Sequence, residues 1–304
     1  MTAVLRRAIP VLMATLALAN TGCGSKPSEH SPTSPTGPRP QVAGSGAQGV
    51  RAMAVAPPLG GAASFGVVGS STVTNTGPTI INGDLGLSPG TSVTGFPPGI
   101  VNGTIHIADA VALAAQTSIT TAYNALAGQA CNVNLTGTNL GGLTLTPGVY
   151  CFSSSAQLTG TLTLDGLGNP GSVWVFQIGS TLTTASGSGV VFINGGQSCG
   201  AFWQVGSSAT LGTTTNFSGN ILALASITAT TGATSSGALF ARTGAVTLDS
   251  NIVSVVGSCG AGPQPSPTPI GSPPPPPVPA LPEVATWGLL AILLAGGVFV
   301  LSRR

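Results

Sequence analysis

The chain has 304 residues, of which 5% are charged, 45 are Gly and 25 are Pro, and its formal net charge is +2. So few charges exclude an ordinary cytosolic enzyme, in which about a quarter of the residues are charged. The positive charge arises largely at the two ends and forms no basic stripe. The composition therefore predicts neither nucleic acid nor an acidic macromolecule as a partner.

Residues 1–23 predict an export signal, because two arginines precede an apolar run that ends near Cys23. The Gly-Cys-Gly-Ser sequence there resembles a bacterial lipoprotein cleavage site, in which Cys23 would carry lipid. An ordinary cleavage nearby is the alternative. Residues 24–58 are rich in Ser, Pro, Gly and Ala without a periodic apolar pattern, so they are predicted to be a disordered linker.

Residues 59–260 form the predicted folded domain, an all-β-dominated one. Runs such as GTLTLD and GAVTLDSN alternate Thr or Ser with an apolar residue, which is typical of a strand with one buried face. In the first run Leu162 and Leu164 are predicted to point inward. Spacings of 20, 28, 18 and 18 residues between successive runs indicate the coils of a β-solenoid. These spacings join Thr161, Thr181, Ala209, Ile227 and Ala245.

One segment, residues 107–126, has the periodicity of a helix. Asp109 lies in its first turn, where a carboxylate favours the positive end of the helix dipole, and Gly128 is placed as a C-cap. The helix is predicted to shield one apolar flank of the solenoid. Its apolar positions are Ile107, Val111, Ala115, Ile119, Ala122 and Leu126.

Four cysteines in the folded domain predict two disulfides, because an even set in an exported chain is typical of them. None forms a CxxC motif, which argues against a zinc site. Three connectivities are open. We favour Cys131 with Cys151, which would close a loop, and Cys199 with Cys259, which would hold the end of the solenoid.

The C-terminal region begins with residues 261–282, a Pro-rich linker that is expected to be stiff and extended. Residues 283–304 hold an apolar run just long enough to cross a bilayer, followed by two arginines. The combination of Pro282, Glu283, this helix and the basic end resembles the PEP-CTERM class of bacterial sorting tags, which implies a sorting protease as a partner. A plain membrane anchor is the alternative. We expect a bacterial chain that is exported and either anchored to the cell envelope or secreted.

Catalysis is not expected, and neither is a cofactor or a metal. The aspartates of the folded domain stand in turn-like or capping contexts, and His106 has no evident acid partner. Trp174 and Trp203 lie in apolar runs, so core packing is favoured over a sugar-stacking platform. The four aspartates are Asp84, Asp109, Asp165 and Asp249.

A broad array of Thr, Ser and Asn remains on the strands. Threonine suits exposed strand positions in any β protein, but this array recurs with the coils and has almost no charged neighbours. A regular face of hydroxyls and methyls can hold water in ordered positions, as a face that matches an ice lattice must.

The folded domain contains the motifs GDLGLSPG, GGLTLTPGVYCF, LTGTLTLDG, WVFQIGSTLTT, FWQVGSSATLGT and ARTGAVTLDSN. These motifs resemble the bacterial and fungal ice-binding protein family, and the resemblance covers residues 59–260. It implies a right-handed, triangular β-solenoid with one long α-helix packed alongside, and non-catalytic adsorption to an ice crystal surface. The alternative is a cell-surface adhesin or structural module that binds carbohydrate or neighbouring cells. A carbohydrate-active enzyme would need Asp165 clustered with Asp249 or Asp84.

In that family one flat solenoid face binds ice, and some members carry a Thr-Ala/Gly-X-Thr/Asn pattern there. Thr231-Gly232-Ala233-Thr234 fits the pattern in this sequence. For the other residues, alternation along the strand predicts which side chains point outward. The predicted ice-binding face consists of Thr213, Thr215, Thr228, Thr230, Thr231, Thr234, Thr247 and Asn251.

Overall fold

The computed structural model describes residues 53–257 and 259. The predicted export signal, almost all of the N-terminal linker, the Pro-rich linker and the C-terminal apolar segment lie outside the described residues. Within the described part, no helix has both the length and the apolar character needed to cross a bilayer.

The described chain forms 24 short strands, one α-helix (α1, Ala110–Ala127) and two 3₁₀ turns at Gly60–Ala62 and Ser198–Gly200. Glycine and polar corners separate the strands, which are mostly three to five residues long. In chain order they are β1 (Phe65–Gly69), β2 (Thr72–Thr76), β3 (Ile80–Asn82), β4 (Asp84–Leu87), β5 (Ser92–Thr94), β6 (Ile100–Val101), β7 (Ile105–Ile107), β8 (Val133–Asn134), β9 (Thr144–Leu145), β10 (Gly148–Phe152), β11 (Ala156–Leu158), β12 (Thr161–Asp165), β13 (Trp174–Ile178), β14 (Leu182–Thr184), β15 (Gly189–Ile193), β16 (Ala201–Val205), β17 (Ala209–Leu211), β18 (Asn216–Ser218), β19 (Asn220–Ala223), β20 (Ile227–Ala229), β21 (Thr234–Ser236), β22 (Leu239–Ala241), β23 (Val246–Asp249) and β24 (Ile252–Ser254).

The strands form three parallel sheets that enclose one core, as the predicted β-solenoid requires. Sheet A has the order β7-β4-β1-β22-β19-β16-β13-β10-β8, sheet B the order β11-β14-β17-β20-β23-β2-β5, and sheet C the order β6-β3-β24-β21-β18-β15-β12-β9. A complete coil contributes one strand to each sheet. The predicted fold, a β-solenoid with one helix beside it, is confirmed.

The coils do not stack in sequence order. The last coil, β22 to β24, pairs with the first, β1 to β3, in all three sheets. Helix α1 follows β7 at one end of the stack, and the chain then resumes at β8, the far edge of sheet A. From β8 onward, each coil stacks on the one before it until the last coil reaches the first.

Helix α1 begins at Ala110, three residues later than predicted, because Asp109 is its N-cap. The Asp109 carboxylate accepts a hydrogen bond from the Ala112 backbone N–H at 2.8 Å and lies 2.8 Å from His106 Nδ1. The hydrogen bond from the Ala112 backbone has the larger effect and the one with His106 the smaller, and together they hold the pKa of Asp109 below its usual value. The expectation that His106 lacks an acid partner is therefore wrong.

The buried face of α1 packs on sheet A through Ala112, Ala115, Ile119, Ala122, Tyr123 and Leu126. Two predicted members of that face are not part of it. Ile107 belongs to β7, and Val111 is 47% exposed. Small residues on the packed face let the helix approach the sheet closely, and they meet Phe65, Val68, Phe202 and Phe240 from the strands.

A separate cluster of buried apolar side chains fills the interior of the solenoid. It confirms the predicted inward positions. Leu162 and Leu164 are fully buried, as are Trp174 and Trp203. The run spacings are partly wrong, however, because Thr161 lies in sheet C whereas Thr181 precedes a strand of sheet B. Strand register pairs Ala209 with Ile227 and Ile227 with Val246, so these coils hold 18 and 19 residues.

Both favoured disulfides are present in the structure. Cys131 and Cys151 join the loop after α1 to β10 and are 20 residues apart in sequence. Cys199 and Cys259 are 60 residues apart and tie the segment after β24 to the 3₁₀ turn that precedes β16.

Candidate functional site

The outer surface of sheet B carries a row of six threonines, one on each of six neighbouring strands. Strand pairing places them opposite one another without a register shift, so that each coil adds one step to the row. Gln157 on β11 extends it at one end. We call this set the threonine row; it consists of Thr183, Thr210, Thr228, Thr247, Thr74 and Thr94.

The row follows from strand alternation. Five of the six threonines follow a buried apolar residue, such as Leu182, Ile227 or Val246, and Thr94 follows the partly buried Val93. Each threonine therefore points to the opposite side of its strand. Its branched side chain also suits a strand position. The interior holds the apolar side chains, and the outer side is left with a hydroxyl and a methyl per coil.

A second line of small side chains flanks the threonine row, two residues before each of its members and before Gln157. Two of these residues lie within a strand, and the other five immediately precede one. All but one carry a hydroxyl, and Thr181 Oγ donates to Ser155 Oγ at 2.8 Å. We call this the flanking row; it consists of Ser155, Thr181, Ser208, Ser226, Ala245, Thr72 and Ser92. The two rows together contain no charged side chain.

The hydroxyls of the threonine row have no protein partner within the described residues, whereas nearby threonines at the corners do. Thr230 Oγ donates to the Leu211 carbonyl at 2.8 Å, and the Thr231 hydroxyl donates to the Asp249 carboxylate. The row hydroxyls are therefore available to water, and the rigid sheet fixes their positions.

The geometry of the two rows is a regular net. Neighbouring strands lie about 4.8 Å apart, and residues two positions apart along a strand are separated by about 6.7 Å. Hydroxyls and methyls thus recur in two directions across sheet B. Such a net can position water but offers no acid, base or nucleophile.

Sheet C is the second exposed sheet, and its outer surface is irregular. One line along it contains Ile100 (54% exposed), Ile80 and Ile252 (45% exposed) and then changes to Thr234 and Asn216. Sheet A is covered by α1. Sheet B is therefore the one sheet of the described solenoid with a regular and exposed line of threonines; its one charged strand residue, Asp249, lies at the end of β23, beyond the two rows.

The structure divides the predicted face among three places. Thr228 and Thr247 are in the threonine row. Thr213, Thr230 and Thr231 lie at the corner between sheets B and C, where Thr213 Oγ and Thr230 Oγ are 3.4 Å apart. Thr234 lies on β21 of sheet C and donates to Asn216 Oδ1 at 3.3 Å.

Two residues predicted to lie on the exposed face are buried, so their assignment to that face is wrong. Thr215 is 0% exposed and shares a 2.8 Å hydrogen bond with Thr184 inside the corner after Thr214. Asn251 is 1% exposed, and its Nδ2 donates to the Thr230 and Ala233 carbonyls. At these corners both side chains turn inward and hydrogen-bond to buried hydroxyl or carbonyl groups. The alternation rule applies only within a strand, so it does not predict this orientation.

Sequence reasoning missed four members of the threonine row: Thr74, Thr94, Thr183 and Thr210. A local signal for them exists, since each follows an apolar residue in VTN, VTG, LTT or ATL. The same signal marks Thr228 in ITA and Thr247 in VTL. The dipeptide alone does not single out the row, because Ala229-Thr230 and Ala233-Thr234 occur in the same coil as Thr228.

The aspartates do not cluster, so the condition for the carbohydrate-active enzyme hypothesis is not met. Asp84 begins β4, Asp165 ends β12 and Asp249 ends β23, so they belong to sheets A, C and B. The coils of Asp84 and Asp165 are six steps apart in the stack, or about 29 Å. Each carboxylate binds local groups, such as the Thr104 N–H for Asp84 and the Leu167 N–H for Asp165. The described residues contain no group of three potential metal ligands.

A parallel three-sheet solenoid, a helix along one sheet and a bare threonine face define a non-catalytic surface-binding class of protein. The chain belongs to the Ice-binding-like family, whose family model matches residues 67–254. It is 58% identical over 197 residues to an ice-binding protein of Nostoc sp. (strain HG1), across 64% of this chain and 73% of that protein. It is 33% identical to an ice-binding protein of Flavobacterium frigoris (strain PS1), across 65% of this chain and 75% of the relative.

Solved structures show the same fold. The crystal structure of an ice binding protein from an Antarctic biological consortium matches with a TM-score of 0.65 and 51% identity, covering 66% of this chain and 91% of that one. An ice-binding protein from the Antarctic ascomycete Antarctomyces psychrotrophicus matches with a TM-score of 0.65 and 48% identity, covering 67% and 100%.

Proposed function

We propose that this protein adsorbs to ice through sheet B and thereby inhibits ice growth or recrystallisation. The observation that carries the proposal is the threonine row, six hydroxyls in register that have no protein partner among the described residues. Membership of the Ice-binding-like family supports it.

The physical argument rests on water. A hydroxyl that is fixed by a rigid sheet can hold a water molecule at a defined position, and ordering such a water costs little. The threonine methyls keep mobile hydration away between these sites. Long charged side chains would impose their own hydration, but neither of the two rows carries one. Ordered water over the row can then join a crystal lattice without a large entropic cost at contact.

The test is a Thr210→Tyr, Thr228→Tyr double variant of the full-length chain. Two bulky rings at the centre of the threonine row should prevent close contact with a flat crystal, and we expect at least a tenfold loss of thermal hysteresis. Nanolitre osmometry and an ice recrystallisation assay measure the activity, and circular dichroism checks the fold.

Thr161→Tyr is the matched control, because Thr161 is an exposed strand threonine on sheet C. It should retain full activity. If the Thr161 variant lost activity and the double variant kept it, the face would be sheet C. If the unmodified chain were inactive at micromolar concentration, the adhesin alternative would replace ice binding.

We infer that the chain is exported and held at the bacterial cell envelope, with the ice-binding domain between two attachment segments. The apolar run before Cys23, the Pro282-Glu283 motif and the C-terminal apolar run support this. The two disulfides of the folded domain also suit an oxidising compartment.

Mass spectrometry of the mature termini, from cells of an envelope-sorting bacterium, tests this localisation. We expect a lipid on Cys23 that is lost in Cys23→Ser, and a C-terminus near Pro282 that reverts to full length in Glu283→Ala. A mature N-terminus downstream of Cys23 would contradict lipidation, and an intact C-terminus in the unmodified chain would leave a plain membrane anchor.

A further inference from the structure

Arg242 is the single Lys or Arg among the described residues, and no carboxylate within that part of the chain pairs with it. It follows β22, at the corner between sheets A and B. Its guanidinium lies over the Tyr123 ring of α1, with Cζ 4.3 Å from the ring centroid. Stacking on an aromatic face holds the guanidinium plane in place while its N–H edges stay open to other partners.

The hydrogen-bonding capacity of this arginine is not used. Arg242 Nε is buried and has no acceptor among the described residues. The side chain makes no other hydrogen bond within that part of the structure. A guanidinium is charged at every physiological pH and presents five donors. Arg242 as a whole is only partly buried, so its terminal N–H groups at the groove can donate to an external acceptor.

The guanidinium lines an open groove of about 420 Å³ between α1 and the corner that precedes sheet B. Ser70, Ser88 and Thr120 also line it, and their hydroxyls have no protein partner within the described residues. Leu113 and Pro89 add an apolar edge, and Leu113 is 59% exposed. None of these residues belongs to the threonine row or the flanking row.

We propose that this groove is a second binding site, which takes one carboxylated sugar unit, such as a single hexuronate residue of a glycan. One arginine can hold one carboxylate, so this ligand does not need the basic stripe that an acidic macromolecule would require. The carboxylate accepts paired hydrogen bonds from Arg242, the geometry in which guanidinium and carboxylate fit best. The hydroxyls of Ser70, Ser88 and Thr120 match sugar hydroxyls. The apolar edge of Leu113 and Pro89 faces the C–H side of the ring.

The site gives the molecule a second surface beside its ice face. The groove residues come from α1 and the adjoining corners, so a bound sugar would leave the threonine row exposed. A chain that holds a hexuronate-bearing glycan here can bind ice at the same time. Ice adsorption by the threonine row does not depend on this site, and either proposal can fail alone.

Isothermal titration calorimetry of the full-length chain with trigalacturonate tests the site. We expect saturable one-to-one binding to the unmodified chain and none with maltotriose, which lacks the carboxylates. Sodium sulfate separates a uronate site from a simple oxyanion site. Equal affinity for sulfate would overturn the assignment to a sugar, and no binding of trigalacturonate would overturn the site itself.

Three variants locate the binding. Arg242→Met should reduce the affinity for trigalacturonate at least tenfold, and Arg242→Lys, which keeps the charge but loses the planar fork, about fivefold. Thr161→Tyr is the control and should bind normally. Thermal melts establish that each variant is folded, and thermal hysteresis should be unchanged in all three. Full affinity in a folded Arg242→Met or Arg242→Lys variant would overturn the proposal.

Discussion

Replacing Trp203 by Ala should lower the free energy of unfolding by about 4 kcal/mol, the usual cost of deleting a large buried aromatic side chain. Trp203 is fully buried on the inner side of sheet A. Its ring stacks on Phe176 at a centroid distance of 3.9 Å and an interplanar angle of 8°, and contacts Phe217 at 5.0 Å. Its Nε1 donates to the Ser218 carbonyl at 3.1 Å.

The cost is large because this ring belongs to a stack that runs across coils. Tyr150, Phe176 and Trp203 occupy paired positions on β10, β13 and β16. An alanine would leave a cavity between two rings and an unsatisfied buried carbonyl. The solenoid cannot collapse into that cavity, since strand pairing fixes the coil spacing.

Thermal denaturation followed by circular dichroism measures the effect. For a domain of about 200 residues, 4 kcal/mol corresponds to a fall in Tm of roughly 8–16 °C. Trp203→Phe is the control, because it keeps a ring in the stack and should lose less than half as much. Equal losses in the two variants would show that the hydrogen bond to Ser218, rather than the ring stack, carries the stability.

Removing the Cys199–Cys259 disulfide should destabilise the protein by about 4 kcal/mol, because the bond closes a loop of 60 residues in the unfolded chain. The Cys131–Cys151 disulfide closes a loop of 20 residues and should contribute about 3 kcal/mol. The longer loop constrains the unfolded chain more, so the two double Ser variants should differ in this order.

Urea unfolding of Cys199→Ser, Cys259→Ser beside Cys131→Ser, Cys151→Ser compares the two bonds. The last coil pairs with the first, so we also expect the first of these variants to expose β24 and β3 to faster amide exchange. The opposite order of stability losses would show that the folded-state contacts of each bond, rather than loop length, determine its effect.

Local sequence pattern was enough to predict the solenoid, the helix and the inward residues. Alternation placed Leu162 and Leu164 in the core, and cysteine parity with loop position gave the two disulfides. The helix boundary was less certain because Ile107 and Val111 continue the apolar spacing, although the first belongs to an edge strand and the second faces solvent. The N-cap of Asp109 sets the true start.

The position of the candidate site was harder to predict, for a physical reason. Alternation specifies the side of a residue only inside a strand, and each coil here turns three corners. Thr215 and Asn251 lie at such corners, where their side chains turn inward to satisfy backbone groups. Pairing across coils, not spacing along the chain, is what brings Thr74 beside Thr247, and a sequence read in order does not contain that neighbour.

The position of α1 limits how large the ice-facing surface can become. An 18-residue helix is about 27 Å long, and each coil of the stack adds about 4.8 Å. Helix α1 connects β7 to β8, which are the strands at the two edges of sheet A. One inserted coil would move these edges apart, and about three more helical residues would be needed to span the added distance. A duplication of some 18 residues near β17 to β21 would lengthen the threonine row only if the distant helix grew in step. Enlargement of this surface in evolution or by design therefore needs two coordinated insertions, which favours a fixed number of coils.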